Sequence, residues 1–595
     1  MNTGLWFIIF LVMFKTIKNS LRQYKGITLA TPIFISLEVV MEVLIPYILA
    51  FLIDKGIDAQ DPSALLKYGA MLVGASILSL IGGVAAGYTA SKASTGFASN
   101  LRHDLFSRIM GFSFQNVDKF SAPGLVTRMT SDITSVQQAF QMLIRIAIRA
   151  PFTLIFSLIM SFSVSKSISM LLLVAIPAIA LPMYFISRKA FPIFSKMFEK
   201  TDKLNLKVQE NLRGIRAVKA FVSEDREIKG FDETASDLAG QATKAESHVA
   251  FIGPIMNIVL YATMLLIAWL GARLIVAGSL TTGQLTSVLS YAMQILMSLM
   301  MLSMVLVMLT ISQASFKRIA EVLNEKPTIE GSTCQQIQDG SIRLEDVDFS
   351  YSGEMDKLVL KDISLDIPSG CTVGILGGTG SGKTSLVSLI PRLFDATAGR
   401  VLVGGKDVKD YELKALRRSV AMVLQKNLLF SGTVAENLRW GNADATDEDL
   451  REACRLAQAD GFVSAMPQGY ETHIEQGGSN ISGGQRQRLC IARAILSKPR
   501  ILILDDSTSA VDTATDARIR EGFKTLLPST TKLIISQRIL SVKDADLIIL
   551  LDNGRILAKG THDELLSSCP LYAELNESQA KTRDNDIDII TGGNL

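Results

Sequence analysis

Gly377-Gly378-Thr379-Gly380-Ser381-Gly382-Lys383-Thr384 decides how the second half of this chain folds. An apolar run, Thr372 to Leu376, precedes it, and a helical run, Ser385 to Leu393, follows. Strand, glycine loop and helix in that order form a cradle for phosphate groups. The glycines let backbone N–H groups curl around the β- and γ-phosphates, and the helix N-terminus adds the positive end of its dipole. Lys383 is the expected phosphate contact and Thr384 an expected Mg²⁺ ligand, with Ser385 closing the ATP-binding set. An ordinary glycine-rich turn lacks this context.

Downstream, Ile501-Leu502-Ile503-Leu504-Asp505-Asp506-Ser507 reads as a buried strand ending in a carboxylate, Asp505, that can hold Mg²⁺. From Val322 onward, strands and helices alternate with short loops, which is an α/β pattern. Expected boundaries are an interfacial segment over 1–24, a helical membrane domain over 25–322, a nucleotide-binding domain over 323–575 and a disordered polar tail over 576–595.

Upstream, the composition changes. The chain has 595 residues, too many for one ordinary domain, and 48% of them are hydrophobic. Six apolar segments are long enough to cross a bilayer: Ile27 to Ile53, Leu66 to Tyr88, Gln138 to Val164, Ile168 to Ile186, Phe251 to Ala277 and Gln284 to Ser312. The links after the second and fourth are long, polar and helical in period, so they read as helices extended beyond the membrane. They also carry most of the basic residues, among them Arg102, Arg108, Arg128, Arg188, Lys207, Arg213 and Lys219. The positive-inside rule therefore puts the long links, the second half and both termini in the cytoplasm of a multi-pass cell-membrane protein.

The beginning of the chain reads differently. Leu5 to Phe14 is apolar but too short to span. It lacks the basic flank and small-residue site of a signal peptide. Lys15 to Leu21 is amphipathic and suits the membrane interface, and Met13 is a second candidate start. A net charge of +3 suggests no nucleic-acid partner. The five cysteines form no CxxC pair, and neither they nor His103, His248, His473 and His562 show metal-ligand spacing.

Ile481-Ser482-Gly483-Gly484-Gln485-Arg486-Gln487-Arg488 carries a resemblance to the ATP-binding cassette (ABC) transporter superfamily, in its exporter class. The resemblance covers almost the whole chain, with the motifs in the family's order. It implies that Tyr351 stacks on adenine, that Gln425 joins the Mg²⁺ site to the membrane domain, and that Ser482 to Gln485 form the signature. Ile481 stands where leucine is usual, and Ser509 to Asp512 match the loop through which two sites communicate. Such cassettes sandwich two ATP molecules head to tail, each site joining one P-loop to the other cassette's signature. A half of this kind must pair with a second half-transporter. Gln115 to Arg128 and Gln209 to Phe221 are the expected tips that touch the cassettes.

Two positions depart from the family's pattern. Asp506 stands where a glutamate activates water, and Gln537 stands where a histidine closes the site. Aspartate keeps the charge but loses about an ångström of reach, and catalysis is sensitive to such misplacement. A general base contributes about 10²–10⁴ in rate. Gln537 can donate a hydrogen bond but cannot become an imidazolium. The resemblance then sharpens to the degenerate-site subunit of heterodimeric multidrug exporters. Glu475 to Asn480, before the signature, also departs from the usual order. An ATP-gated channel or a regulatory membrane protein is the alternative; a soluble DNA-repair ATPase conflicts with the apolar segments.

For small-molecule cargo, two features stand out. Glu38 and Glu42 lie i,i+4 on the first segment, and intramembrane carboxylates are functional by default. They suit cationic cargo or, equally, a structural contact to another helix. Arg145 and Arg149 on the third segment form a second such pair. Met293, Met297, Met300, Met301, Met304 and Met308 make a helical stripe on the sixth, an adaptable apolar surface of which Met297 and Met301 are the candidate cargo contacts.

Overall fold

The computed structural model describes residues 17, 19–334, 336–507 and 511–591. The segment Leu5 to Phe14, the candidate start Met13, and Ser509 and Ala510 lie outside the described residues. Two compact units emerge. One takes the chain before Gly111 together with Ser121–Glu325; the other takes Gly111–Phe120 together with the chain from Lys326 onward.

The first unit is helical. Among the described residues, six helical stretches are long and apolar enough to cross a membrane: Arg22–Ile57, Pro62–Met110, Ala122–Val164, Lys166–Arg213, Glu224–Val276 and Thr282–Asn324. They are called the first to sixth spans below. Each apolar segment of the sequence falls on one of them, and the long polar links continue the helices. Large apolar side chains stay exposed along their faces, for example Leu80, Leu265 and Trp269, as a lipid solvent allows.

Prolines inside these helices need compensation. Pro46 lacks an N–H, so the carbonyl of Glu42 loses its helical donor. The sixth span supplies donors along this stretch. Gln294 Nε2 reaches the Glu42 carbonyl at 3.4 Å, Tyr291 donates to the Val43 carbonyl at 3.0 Å, and Ser287 donates to the Pro46 carbonyl at 2.6 Å. Backbone groups in lipid must be satisfied in this way. At the other end of the sixth span, buried Asp132 accepts from Ser315 at 2.8 Å and from Arg318 Nε at 2.7 Å. Ser20 donates to Asp104 at 3.0 Å, and the Tyr24 ring lies where a Cβ on Gly96 would be, tying the start of the first span to the second.

The second unit is α/β. A six-stranded sheet runs in the order Arg555–Gly560, Leu547–Asp552, Thr372–Gly377, Thr531–Ile535, Ile501–Asp505, Val420–Val423. All its neighbours are parallel except the first pair. Ile501 to Asp505 is buried at every position, which explains its unbroken apolar sequence. A four-stranded antiparallel sheet, built on Ile342–Phe349 and Leu360–Ile367, packs its own core against the other face of the P-loop strand.

Gly111–Phe120, within the range 25–322 expected for the membrane domain and overlapping the expected tip Gln115 to Arg128, groups with the second unit. Asn116 is the reason: its Oδ1 accepts from Thr328 N at 3.1 Å and its Nδ2 donates to the Lys326 carbonyl at 3.1 Å. Pro570–Thr591 is helical. Buried Tyr572 anchors that helix through a 2.7 Å hydrogen bond with His562.

Candidate functional site

The strands Thr372–Gly377 and Ile501–Asp505 flank Thr531–Ile535, so their ends deliver the P-loop, the two aspartates and the segment after Ile535 to one edge of the sheet. In open parallel sheets, ligands bind at this carboxyl edge. The loop Gly377 to Gly382 then turns sharply. Gly382 has φ +96°, and a Cβ on Gly377 would sit 2.3 Å from the Leu551 carbonyl oxygen. Glycine is required at both places.

Lys383 opens the following helix, Lys383–Leu389, and its Nζ donates to the carbonyls of Gly377 at 2.8 Å and Gly378 at 2.6 Å. The ammonium is thus held inside the loop, where phosphate oxygens would compete for it. Burial pushes the Lys383 ammonium below its ordinary range, while Asp505 and Asp506 pull it back. Thr384 Oγ1 donates to Asp505 Oδ2 at 2.9 Å. Burial pushes the Asp505 carboxyl up, the Thr384 bond opposes this, and Asp506 pushes the same way as burial. A desolvated carboxylate beside a hydroxyl oxygen is a hard-donor set suited to Mg²⁺. The residues present therefore fit that ion. Gln425, the third expected ligand, is exposed after the strand Val420–Val423.

Asp506 follows in a left-handed conformation, φ +47°, with its N–H bonded to the Ile535 carbonyl at 3.0 Å. Aspartate tolerates that region better than most residues. Gln537 is exposed and its main chain is held from elsewhere: Gln579 Nε2 donates to the Gln537 carbonyl at 2.8 Å, and Ile539 N donates to Gln579 Oε1 at 2.9 Å. Nothing in the sequence pointed to Gln579. Tyr351 is 47% exposed, with its hydroxyl 2.8 Å from Ser385 Oγ.

Ser482 caps the helix Gly483–Leu496 in a reciprocal box with Gln485, at 3.3 Å and 3.0 Å. Ser482 and Gly483 are exposed, so this N-terminus faces outward. Among the described residues no hydrogen bond joins Ser482 to Gln485 with the P-loop. The preceding stretch is knit to itself: Ser479 donates to Glu475 at 2.7 Å and Asn480 donates to the His473 carbonyl at 2.9 Å.

In the first unit, Arg149 lies between the two carboxylates, 3.0 Å from Glu38 and 2.8 Å from Glu42. Glu38 is 8% exposed and packs on Gly82 and Gly83 of the second span. Nearby, Ser157 of the third span donates to Gln294 of the sixth at 2.7 Å. Met297 is exposed and Met301 half-buried on the sixth span.

Residues 28–299 match the family described as ABC transporter transmembrane region, and residues 360–509 match the family described as ABC transporter. An uncharacterized ABC transporter ATP-binding protein of Mycobacterium tuberculosis is 35% identical over 577 residues, covering 95% of this chain and 98% of that protein. The ATP-dependent lipid A-core flippase of Hahella chejuensis is 31% identical over 537 residues, 89% of this chain and 91% of that protein. A solved bacterial Atm1-family ABC exporter with ATP bound shares the fold, with a TM-score of 0.82 over 93% of this chain and 99% of that one, at 22% identity.

Proposed function

The chain belongs to the ABC transporter family as an exporter half-transporter, and on that premise we propose that it works with a different second half, its own nucleotide site holding ATP while hydrolysing it slowly. One observation carries this reading. Thr384 bonds Asp505 at 2.9 Å and Lys383 is held by the loop carbonyls, whereas the position beside Asp505 holds the short Asp506 and the closing position holds Gln537. We read the binding half of the site as retained and the water-activating half as reduced.

In this reading Tyr351 stacks on the base, the loop Gly377 to Gly382 and Lys383 hold the phosphates, and Thr384, Asp505 and Gln425 hold Mg²⁺, which neutralises phosphate charge. The outward N-terminus at Ser482 to Gln485 serves the second half's ATP, since free helical N–H groups favour an anion. Pairing has further support. Phe221 and Val222 are 81% and 83% exposed at the second expected tip. An exposed apolar tip of this kind suits burial when subunits pair. The second unit bears a groove of ≈ 900 Å³ whose lining mixes apolar residues such as Leu424 and Trp440 with charged ones such as Arg418, Lys426 and Arg493.

For cargo, the proposal is a hydrophobic or amphipathic compound leaving the cytoplasm. The exposed methionines of the sixth span support it, as does the flippase named among the relatives. Because Arg149 already pairs with Glu38 and Glu42, we assign those carboxylates to span packing rather than to cation capture.

The test is ATPase of this chain purified alone and co-purified with a second half-transporter. Turnover should require the pair. A homodimer as active as the pair would overturn the proposal.

A further inference from the structure

We propose that Phe394 is a positioning residue for the base-stacking Tyr351, set by Phe114 of the short helix Phe114–Phe120, so that this helix tunes affinity for the nucleotide base. The proposal rests on the reading of Tyr351 as the base platform.

The geometry is a run of aromatic contacts within one unit. Phe114 and Phe394 have ring centroids 5.9 Å apart. Phe394 meets Tyr351 at 5.1 Å with perpendicular planes, 90°. Phe349 closes the cluster, 4.8 Å from Tyr351 and 5.7 Å from Phe394. Perpendicular contacts at such spacing are favourable and directional. The far side of Tyr351 is fixed by its 2.8 Å hydrogen bond with Ser385, next to Thr384. One path therefore runs from Phe114 to the P-loop helix.

Both ends of the path are anchored, which leaves Phe394 as the adjustable member. Asn116, 1% exposed, accepts from Ser113 N and Thr328 N, each at 3.1 Å, and so fixes the helix that carries Phe114. Arg392, 5% exposed, grips Asp395 at 2.7 Å and the Glu330 carbonyl at 3.0 Å, fixing the main chain around Phe394. The place of Phe114 then biases the Phe394 side chain, and the perpendicular Phe394–Tyr351 contact carries that bias to the Tyr351 ring. The chain entering and leaving Gly111–Phe120 is that of the second and third spans, so the helix is covalently tied to both.

The experiment uses the full-length chain in lipid nanodiscs, titrated with MgATP and separately with inorganic tripolyphosphate, which has the phosphates but no base. Phe394→Leu and Phe114→Leu should each weaken ATP by about 3- to 10-fold, the range of one aromatic pair, with tripolyphosphate unchanged. Phe394→Tyr should keep ATP affinity. Phe114 is 48% exposed, so its substitution leaves folding intact. If both leucine variants bind ATP normally while Tyr351→Ala weakens it, the proposal is overturned and the base-platform reading stands. Equal losses for ATP and tripolyphosphate would mark Phe394 as merely structural and also overturn it. Unchanged ATP affinity in Tyr351→Ala would remove the base-platform reading itself.

Discussion

Thr384 and Asp505, 121 positions apart, meet through a 2.9 Å hydrogen bond from hydroxyl to carboxylate. Parallel pairing of Thr372–Gly377 and Ile501–Asp505 on either side of Thr531–Ile535 creates that meeting. The pair presents oxygen donors where burial disfavours an uncompensated charge.

Asp505→Asn should weaken Mg²⁺-dependent ATP binding by about 10–100-fold, while Mg²⁺-free binding changes little. Protons compete with the metal for this carboxylate, and burial raises its proton affinity. Affinity for MgATP should therefore decline, as pH falls, at a higher pH than an ordinary carboxylate would give. A titration flat down to about pH 4, the ordinary carboxylate range, would contradict this.

Asp506→Glu with Gln537→His should raise single-turnover hydrolysis at this chain's P-loop by about 10²-fold, since it restores reach and a titratable partner. Asp506→Ala should hardly change turnover of the assembled pair. A large loss from Asp506→Ala would show that this site already carries the hydrolysis.

Ser482→Arg should abolish turnover of the pair although this chain's own ATP affinity is preserved. The arginine would fill the space in front of the helix N-terminus, where a second subunit's phosphate is expected. Photolabelling of this chain by an azido-ATP, compared with steady-state phosphate release, separates the two effects. Full activity in the variant pair would mean the signature serves no partner site.

Glu38→Gln with Glu42→Gln should leave the Arg149 guanidinium without its partners inside the spans. Losing both counter-charges should lower thermal stability in detergent. Adding Arg149→Gln should recover much of it. If the double variant is as stable as the parent but loses transport of cations selectively, the carboxylates belong to cargo after all.

Gln579→Ala should loosen the segment after Ile535 by removing both bonds to Gln537 and Ile539. Hydrogen exchange at Ile539 should rise, and bound nucleotide should dissociate faster. Protection at Ile539 equal to the parent's would show that the amide bonds contribute nothing there.

Much of this protein was legible in order along the chain. The glycine loop, the apolar strand before Asp505 and the six apolar segments are local patterns. Backbone sterics at Gly382 or the hydrocarbon thickness dictates each one, whatever packs around it. The shortened Asp506 and the amide at Gln537 were visible for the same reason: a motif names its positions. What only the tertiary structure decided is which side chains share a neighbour. Glu38 reads alike whether it faces cargo or Arg149, and only the fold brings Arg149 to 3.0 Å from it. Phe394 lies in no motif, and Gln579 lay in a stretch expected to be disordered, yet both touch the site's supports. Such contacts join residues far apart in the chain. They depend on the register of strands, the rotation of helices and the rotamers that close packing permits, which no local periodicity records.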